Sequence, residues 1–347
     1  MDTASPPTHA PRALHSASDR TTRRYHLRVK PRDVGKVQDA LAAHDYLADE
    51  GLATAVFLAL TLDRPLLLEG EAGVGKTELA KVLARWTGGE LLRLQCYEGI
   101  DAAQAVYEWD YSRQLLHLRA AEAAGPTAPI AVDRAERAPT RTPATQQPSE
   151  RSHVEDELYS PRFLVQRPLL RAISHSDPVP PVLLVDEVDR ADDEFEAFLL
   201  EILSDYAVTV PELGTFTADV PPIVVVTSNR TRDVHDALKR RCLYHWIGHP
   251  DFERELAIVR TRAPEVAPAL AGQVARAVAE LRALDLYKPP GVAETIDWAR
   301  ALGALQRATL DEASVEVTLG TVLKYREDQE RVRSEALDRV VAAAAGA

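Results

Sequence analysis

Two cysteines in 347 residues exclude a disulfide framework and a cysteine-rich metal cluster. Cys96 and Cys242 each sit in an apolar stretch and read as small buried residues of a reducing, cytoplasmic compartment. No apolar run approaches the roughly 18 residues that a membrane-spanning helix needs, so no membrane association is expected. Arg23-Arg24 lies near the start, but His26, Arg28, Lys30 and Arg32 follow where the apolar core of an export signal would have to be. A surplus of basic charge is also missing: 41 Lys and Arg stand against 53 Asp and Glu, a formal net charge of -12. That balance argues against a broad nucleic-acid footprint.

Glycine is scarce, with 16 in the chain, yet it is concentrated where an apolar run breaks into a loop. Leu66-Leu67-Leu68-Glu69 leads into Gly70-Glu71-Ala72-Gly73-Val74-Gly75-Lys76-Thr77, and a helical pattern follows at once. The spacing G-x-x-x-x-G-K-[ST] is that of a phosphate-binding loop. Glycines let consecutive backbone N–H groups curl round a phosphate, the lysine reaches the β and γ phosphates, and the threonine hydroxyl ligates Mg²⁺. The residues Gly70 to Thr77 therefore mark a nucleoside triphosphate site. A guanine-reading N/T-K-x-D motif does not follow, and Ser228-Asn229-Arg230-Thr231 is no substitute for one, so ATP is the expected nucleotide.

The chain divides by pattern. Residues 1 to about 30 are rich in Pro, Ser, Thr and Arg without a hydrophobic period and read as a disordered tail. A stretch of the same kind, roughly 121 to 157, reads as a surface excursion, because the apolar pattern resumes on both sides of it. Residues 31–249 then form the main domain. Helical periods at Leu52, Val56, Leu60 and at Leu79, Val82, Leu83, Trp86 alternate with short runs at Leu91 to Leu94, Val182 to Val185, Ile223 to Thr227 and Leu243 to Ile247. Continuously apolar strands are buried on both faces, which predicts a doubly wound parallel sheet sandwiched by helices, an α/β fold. Phe195, Leu199, Ile202 and Leu203 predict a further helix with Asp192 or Asp193 as its cap. From 250 to 347 only helical periods remain, predicting a small helical domain and tail.

The strand Val182 to Val185 ends in Asp186-Glu187, two carboxylates that can take different tasks as the chain turns. Beside a phosphate loop, the aspartate is expected to hold Mg²⁺ with Thr77 and the glutamate to act as base on the attacking water. The next strand ends at Asn229, an amide placed to hold that water. Lys239-Arg240-Arg241 precedes the following strand. A helix C-terminus that favours cations accounts for these residues, as does an arginine finger reaching a neighbouring subunit's γ-phosphate. Arg241 is the expected finger and Arg240 the alternative.

In this order the four elements resemble the AAA+ ATPases, over roughly residues 40 to 305. More narrowly the chain looks like the MoxR branch and its CoxD-like members, which accompany molybdenum hydroxylases such as aerobic carbon monoxide dehydrogenase. The narrower likeness rests on Tyr46-Leu47-Ala48-Asp49-Glu50-Gly51-Leu52-Ala53, Gln95-Cys96-Tyr97-Glu98-Gly99-Ile100-Asp101, Tyr107-Glu108-Trp109-Asp110-Tyr111 with Arg113-Gln114-Leu115-Leu116, and Arg167-Pro168-Leu169-Leu170. The resemblance implies a homo-oligomeric ring, usually of six subunits, with ATP at each interface. It also implies a partner with a von Willebrand factor A domain and a target metalloenzyme whose metal centre is matured. Tyr46 and Leu47 fall where the family packs adenine. Residues 97 to 111 fall in the insert that faces the pore or the partner, although an alternation such as Tyr107, Trp109 and Tyr111 more often marks a half-buried hairpin. One departure stands out: where relatives open a lid helix with a second-sensor arginine, this chain has Gly291-Val292-Ala293-Glu294-Thr295. Either Arg300, more than a turn further on, replaces it, or the lid works differently.

Overall fold

The computed structural model describes residues 30–124 and 157–346. The expected tail, apart from Lys30, and the expected excursion, apart from residues 121–124 and 157, lie outside the described residues. Two helices, α1 (Val34–Ala42) and α2 (Glu50–Leu62), precede strand β1 (Leu66–Gly70). Asp33 and Asp49 cap them, accepting from the amides of Lys36 and Leu52. There follow α3 (Lys76–Thr87), β2 (Leu91–Gln95), α4 (Ala102–Val106), β3 (Tyr107–Trp109) and α5 (Tyr111–Ala124). After the undescribed segment come β4 (Leu164–Gln166), α6 (Pro168–Ile173), β5 (Val182–Asp186), α7 (Asp193–Asp205), β6 (Ala207–Val210), β7 (Gly214–Thr217), β8 (Ile223–Ser228), α8 (Asp236–Arg241) and β9 (Leu243–Ile247).

Five strands form one sheet in the order β2-β5-β8-β1-β9, every pair parallel. The expected α/β architecture is present, and the apolar clusters lie on both faces of the sheet. One contains Leu67, Leu183, Val185, Val224 and Val226, and the other Leu66, Leu68, Val182, Leu184 and Val225. This is the alternation of neighbouring strand residues between two covered faces. β1 and β5 are buried at every position. The edge strands correct the expectation of continuous burial: in β2 Arg93 is exposed between buried Leu92 and Leu94, and in β9 Tyr244 and Trp246 are exposed. Helices do not cover both faces of a sheet's outermost strands, so these read with a period of two.

Two further corrections concern local structure. Tyr107 and Trp109 lie on β3, but Tyr111 begins α5, and the strand paired antiparallel with β3 is the distant β4, with Trp109 opposite Leu164. A short antiparallel hairpin, β6 with β7, stands where no strand was expected. The cap of α7 is Asp192, whose carboxylate accepts from the Phe195 amide at 2.8 Å.

Beyond β9 the described chain is helical: α9 (Phe252–Arg262), α10 (Pro268–Ala283), α11 (Val292–Ala304), α12 (Glu312–Val322), α13 (Arg326–Arg331) and α14 (Leu337–Ala345). Leu256, Val259, Val274, Val278, Trp298, Val315 and Val340 share its core. Within that core Arg282 donates to both oxygens of Glu255, at 2.5 and 2.8 Å, and to the carbonyl of Pro290 at 2.7 Å; Thr295 Oγ1 donates to Glu255 at 2.7 Å. This buried polar knot pins the Pro289-Pro290-Gly291 corner that carries the start of α11. Among the described residues no helix is long and apolar enough to cross a membrane.

Candidate functional site

The site sits at the C-terminal ends of β1, β5 and β8, where parallel sheets of this kind present their loops. Gly70 has φ 155°, Gly73 79° and Gly75 98°, and the last two lie in the left-handed region that a side chain resists. A Cβ on Gly70 would lie 2.1 Å from the Ile247 carbonyl oxygen, so close packing against β9 requires glycine there. The loop runs through Glu71, Ala72 and Val74 into the first turn of α3, which has no side-chain cap. Its free amides and dipole face the place a phosphate would take.

Lys76 is buried and bends back into the loop, donating to the carbonyls of Gly70 at 2.7 Å and Glu71 at 2.6 Å. Burial pulls its pKa below the usual lysine value, opposed by Asp189, Glu71, Asp186 and Glu187. Thr77 Oγ1 donates to Asp186 Oδ1 at 3.0 Å. These oxygen donors suit a small hard cation such as Mg²⁺, which is commonly held by one or two protein groups together with phosphates. Among the described residues no cluster of three or more His, Cys, Asp and Glu could hold a metal by itself.

Glu187 follows Asp186 with φ 56° and ψ 51°, a left-handed turn that swings its carboxylate away from the strand axis. Asn229 Nδ2 donates to Glu187 Oε1 at 3.1 Å, and Gln95 Nε2 to Oε2 at 3.1 Å. Arg190 Nε lies 3.0 Å from Oε2. Lys76, Thr77, Asp186, Glu187 and Asn229 are thus brought together from three segments, the loop before α3 and the ends of β5 and β8. Tyr46 and Leu47 line a separate cavity of about 210 Å³ with Val74, Ile258, Val292 and Ile296, open to the same loop between the sheet domain and the helical domain. Tyr46 is buried, which raises its hydroxyl pKa, and that hydroxyl lies 3.4 Å from the Gly75 carbonyl.

Arg241 and Arg240 do not join this cluster. Both are exposed at the end of α8, where Arg241 donates to the Ser204 hydroxyl and the Arg240 carbonyl accepts from Arg64. Arg300 is also elsewhere, bound to the Arg262 carbonyl and 3.3 Å from Glu265. The start of α11 does reach the loop: Ala293 N–H donates to the Gly73 carbonyl at 3.2 Å, and Glu294 caps the Gly291 amide at 3.0 Å. Cys96 and Cys242 are buried thiols, each pushed up to about 12 by that burial, and neither is poised as a nucleophile.

Sequence reasoning missed Thr227, Arg93, Gln95, Arg190 and Asp189. Thr227 Oγ1 donates to Asp186 at 2.6 Å and accepts from the Glu187 amide at 2.9 Å. Asp189, almost fully buried, accepts from the amides of Asn229 and Thr231. The signal for Arg93 and Gln95 was present as polar residues two apart in an otherwise leucine strand, placed beside β5 with Gln95 opposite Asp186.

A parallel sheet with a glycine-rich loop between β1 and α3, and Asp-Glu at the end of β5, separated from β1 by β8, defines a P-loop nucleoside triphosphatase fold with a C-terminal helical region. The AAA domain family, dynein-related subfamily, matches residues 65–242, just over half of the chain, and the chain belongs to that family. Membership implies nucleotide binding. No curated protein matches the chain. Among solved structures, an ATPase candidate from Cytophaga hutchinsonii aligns at 13% identity and a TM-score of 0.41, covering 95% of this chain and 97% of that one. A likeness that slight adds nothing to the assignment.

Proposed function

We propose that the chain hydrolyses ATP with Mg²⁺ as a ring-forming remodelling chaperone of the MoxR type, acting on a partner metalloenzyme. The observation that carries the hydrolytic reading is the convergence of Thr77 and Asp186 with Glu187 and Asn229. Lys76 and the loop amides bind the phosphates, Thr77 and Asp186 place the metal, Glu187 takes a proton from water, and Asn229 orients that carboxylate. Tyr46 and Leu47 receive the base. Arg241, exposed and remote from its own loop, serves a neighbour's site, with Arg240 as the alternative. The ring, the von Willebrand factor A domain partner and the maturation of a molybdenum hydroxylase rest on the sequence resemblance.

A second reading, an ATP-gated scaffold with little turnover, draws support from two features. No arginine stands at the start of α11, and Glu187 is tied by three donors. Steady-state ATPase activity against protein concentration, with Glu187→Gln as the blank, separates the two. Specific activity that climbs with concentration supports a site completed by a neighbour. Activity that is flat over a range in which light scattering shows assembly defeats the trans role of Arg241. Activity no higher than the blank in assembled protein favours the scaffold.

A further inference from the structure

Asp186 is 2% exposed, and each of its oxygens already has two donors. Oδ1 receives Thr77 and Thr227. Oδ2 receives Arg93 through Nε at 3.1 Å and Nη2 at 2.6 Å. The same Nη2 donates to Gln95 Oε1 at 2.6 Å. Arg93 and Gln95 stand two apart on β2 and so share a face, and the amide steadies the guanidinium against the aspartate.

We propose that Arg93 is a placeholder cation: its guanidinium holds Asp186 Oδ2, and it must leave that oxygen for Mg²⁺ to load. The inference rests on reading the site as one for Mg²⁺ and ATP. Thr77 can ligate a cation through its lone pair while its hydroxyl still donates to Oδ1, and Thr227 is buried and has nowhere to go. Oδ2 is therefore the oxygen that must be freed. A guanidinium carries only donors and does not lose its charge, so it cannot join a metal shell and is repelled by a dication. Its side chain is 52% exposed, and solvent can receive it. Arg93 thereby sets the metal concentration at which the site closes, as a positioning residue.

The test titrates Mg²⁺ into full-length protein with a fluorescent, non-hydrolysable ATP analogue. Arg93→Ala is expected to lower the half-saturating Mg²⁺ about tenfold, the equivalent of one charge-assisted hydrogen bond, with analogue binding in EDTA within twofold of wild type. Gln95→Ala, which keeps the charge but removes its holder, is expected to move the same way by less. Mg²⁺ alone, without nucleotide, is expected to raise the Tm of Arg93→Ala and leave the wild type unmoved. Half-saturation within twofold of wild type in both variants would overturn the proposal. So would equal Mg²⁺ stabilisation of wild type and Arg93→Ala. If the wild type bound no analogue at any Mg²⁺ concentration, the nucleotide reading would fail, while the metal-only comparison would still decide the role of Arg93.

Discussion

Thr227 on β8 donates its hydroxyl proton to Asp186 on β5 at 2.6 Å while accepting from the amide of Glu187 at 2.9 Å. One side chain thus fixes both members of the acidic pair, the first by its carboxylate and the second by its main chain.

Thr227→Val keeps the shape and removes both bonds. The fold is expected to survive, because the side chain is buried among apolar strands, but the pair loses its alignment. Turnover is expected to fall about ten- to a hundredfold, the equivalent of a lost hydrogen bond to a charged group. Steady-state kinetics alongside circular dichroism checks this; wild-type turnover in a folded variant would mean that Thr227 serves stability alone.

Gly291 tests the contact between the helical domain and the phosphate loop. Its φ is -81°, so alanine brings no backbone strain, but the added Cβ would lie 2.7 Å from the Ala72 carbonyl oxygen and 2.9 Å from Gly73 Cα. Gly291→Ala is expected to push α11 off the loop and weaken ATP binding about ten- to a hundredfold, in line with the roughly 1–3 kcal/mol that overpacking costs. Equilibrium binding of a fluorescent analogue measures it.

The Arg282 and Glu255 pair, 11% and 1% exposed, is expected to be the costliest single break in the helical domain. Arg282→Met leaves a buried carboxylate uncompensated, a loss of about 3–5 kcal/mol. Replacing Glu255 by Leu in the same chain is expected to recover part of that loss. Denaturant midpoints for the two single variants and the double variant decide the matter, and additive losses would mean that the pair is not coupled.

His249 lies in the corner between β9 and α9, with a buried Nδ1 that has no hydrogen-bond partner among the described residues. Burial, and then Arg282, hold its pKa below the ordinary 6.5, against Glu71 and Glu294. The folded state therefore binds fewer protons than the unfolded one in the window below 6.5. Stability is complete above that value and declines as pH falls through 6.5 towards the folded pKa. His245 is lowered too, chiefly by burial. His249→Asn is expected to flatten the dependence of Tm on pH between about 7 and 5; an unchanged slope would assign the effect to other groups.

The architecture was largely legible because its signals are local. Five short apolar runs and a glycine loop with Lys76 and Thr77 define the sheet and its phosphate site, and Asp186, Glu187 and Asn229 announce themselves as polar residues at the ends of apolar strands. Arg93 and Gln95 were legible only as two polar residues in a leucine strand, without a role, since a polar residue on an edge strand ordinarily faces water. Only the β2 to β5 register, which places Gln95 opposite Asp186, brings them within reach of the acidic pair. Tyr111 was misread because an aromatic residue continues a period of two as readily as it opens a helix. The β6 to β7 hairpin escaped because its strands are four residues each, too short for a period to establish itself.

The bond from Ala293 N–H to the Gly73 carbonyl has a mechanical meaning. α11 has 13 residues and behaves as a rod of about 20 Å, clamped at one end to the main chain of the phosphate loop and wedged along its length in the helical core through Trp298 and Leu302. Such a rod is a rigid coupling: a displacement of the Gly73 carbonyl is expected to be carried through α11 into the helical core at Trp298 and Leu302 rather than absorbed at the loop. Because the clamp grips backbone rather than side chain, substitution of Glu71 or Ala72 is expected to leave that coupling in place.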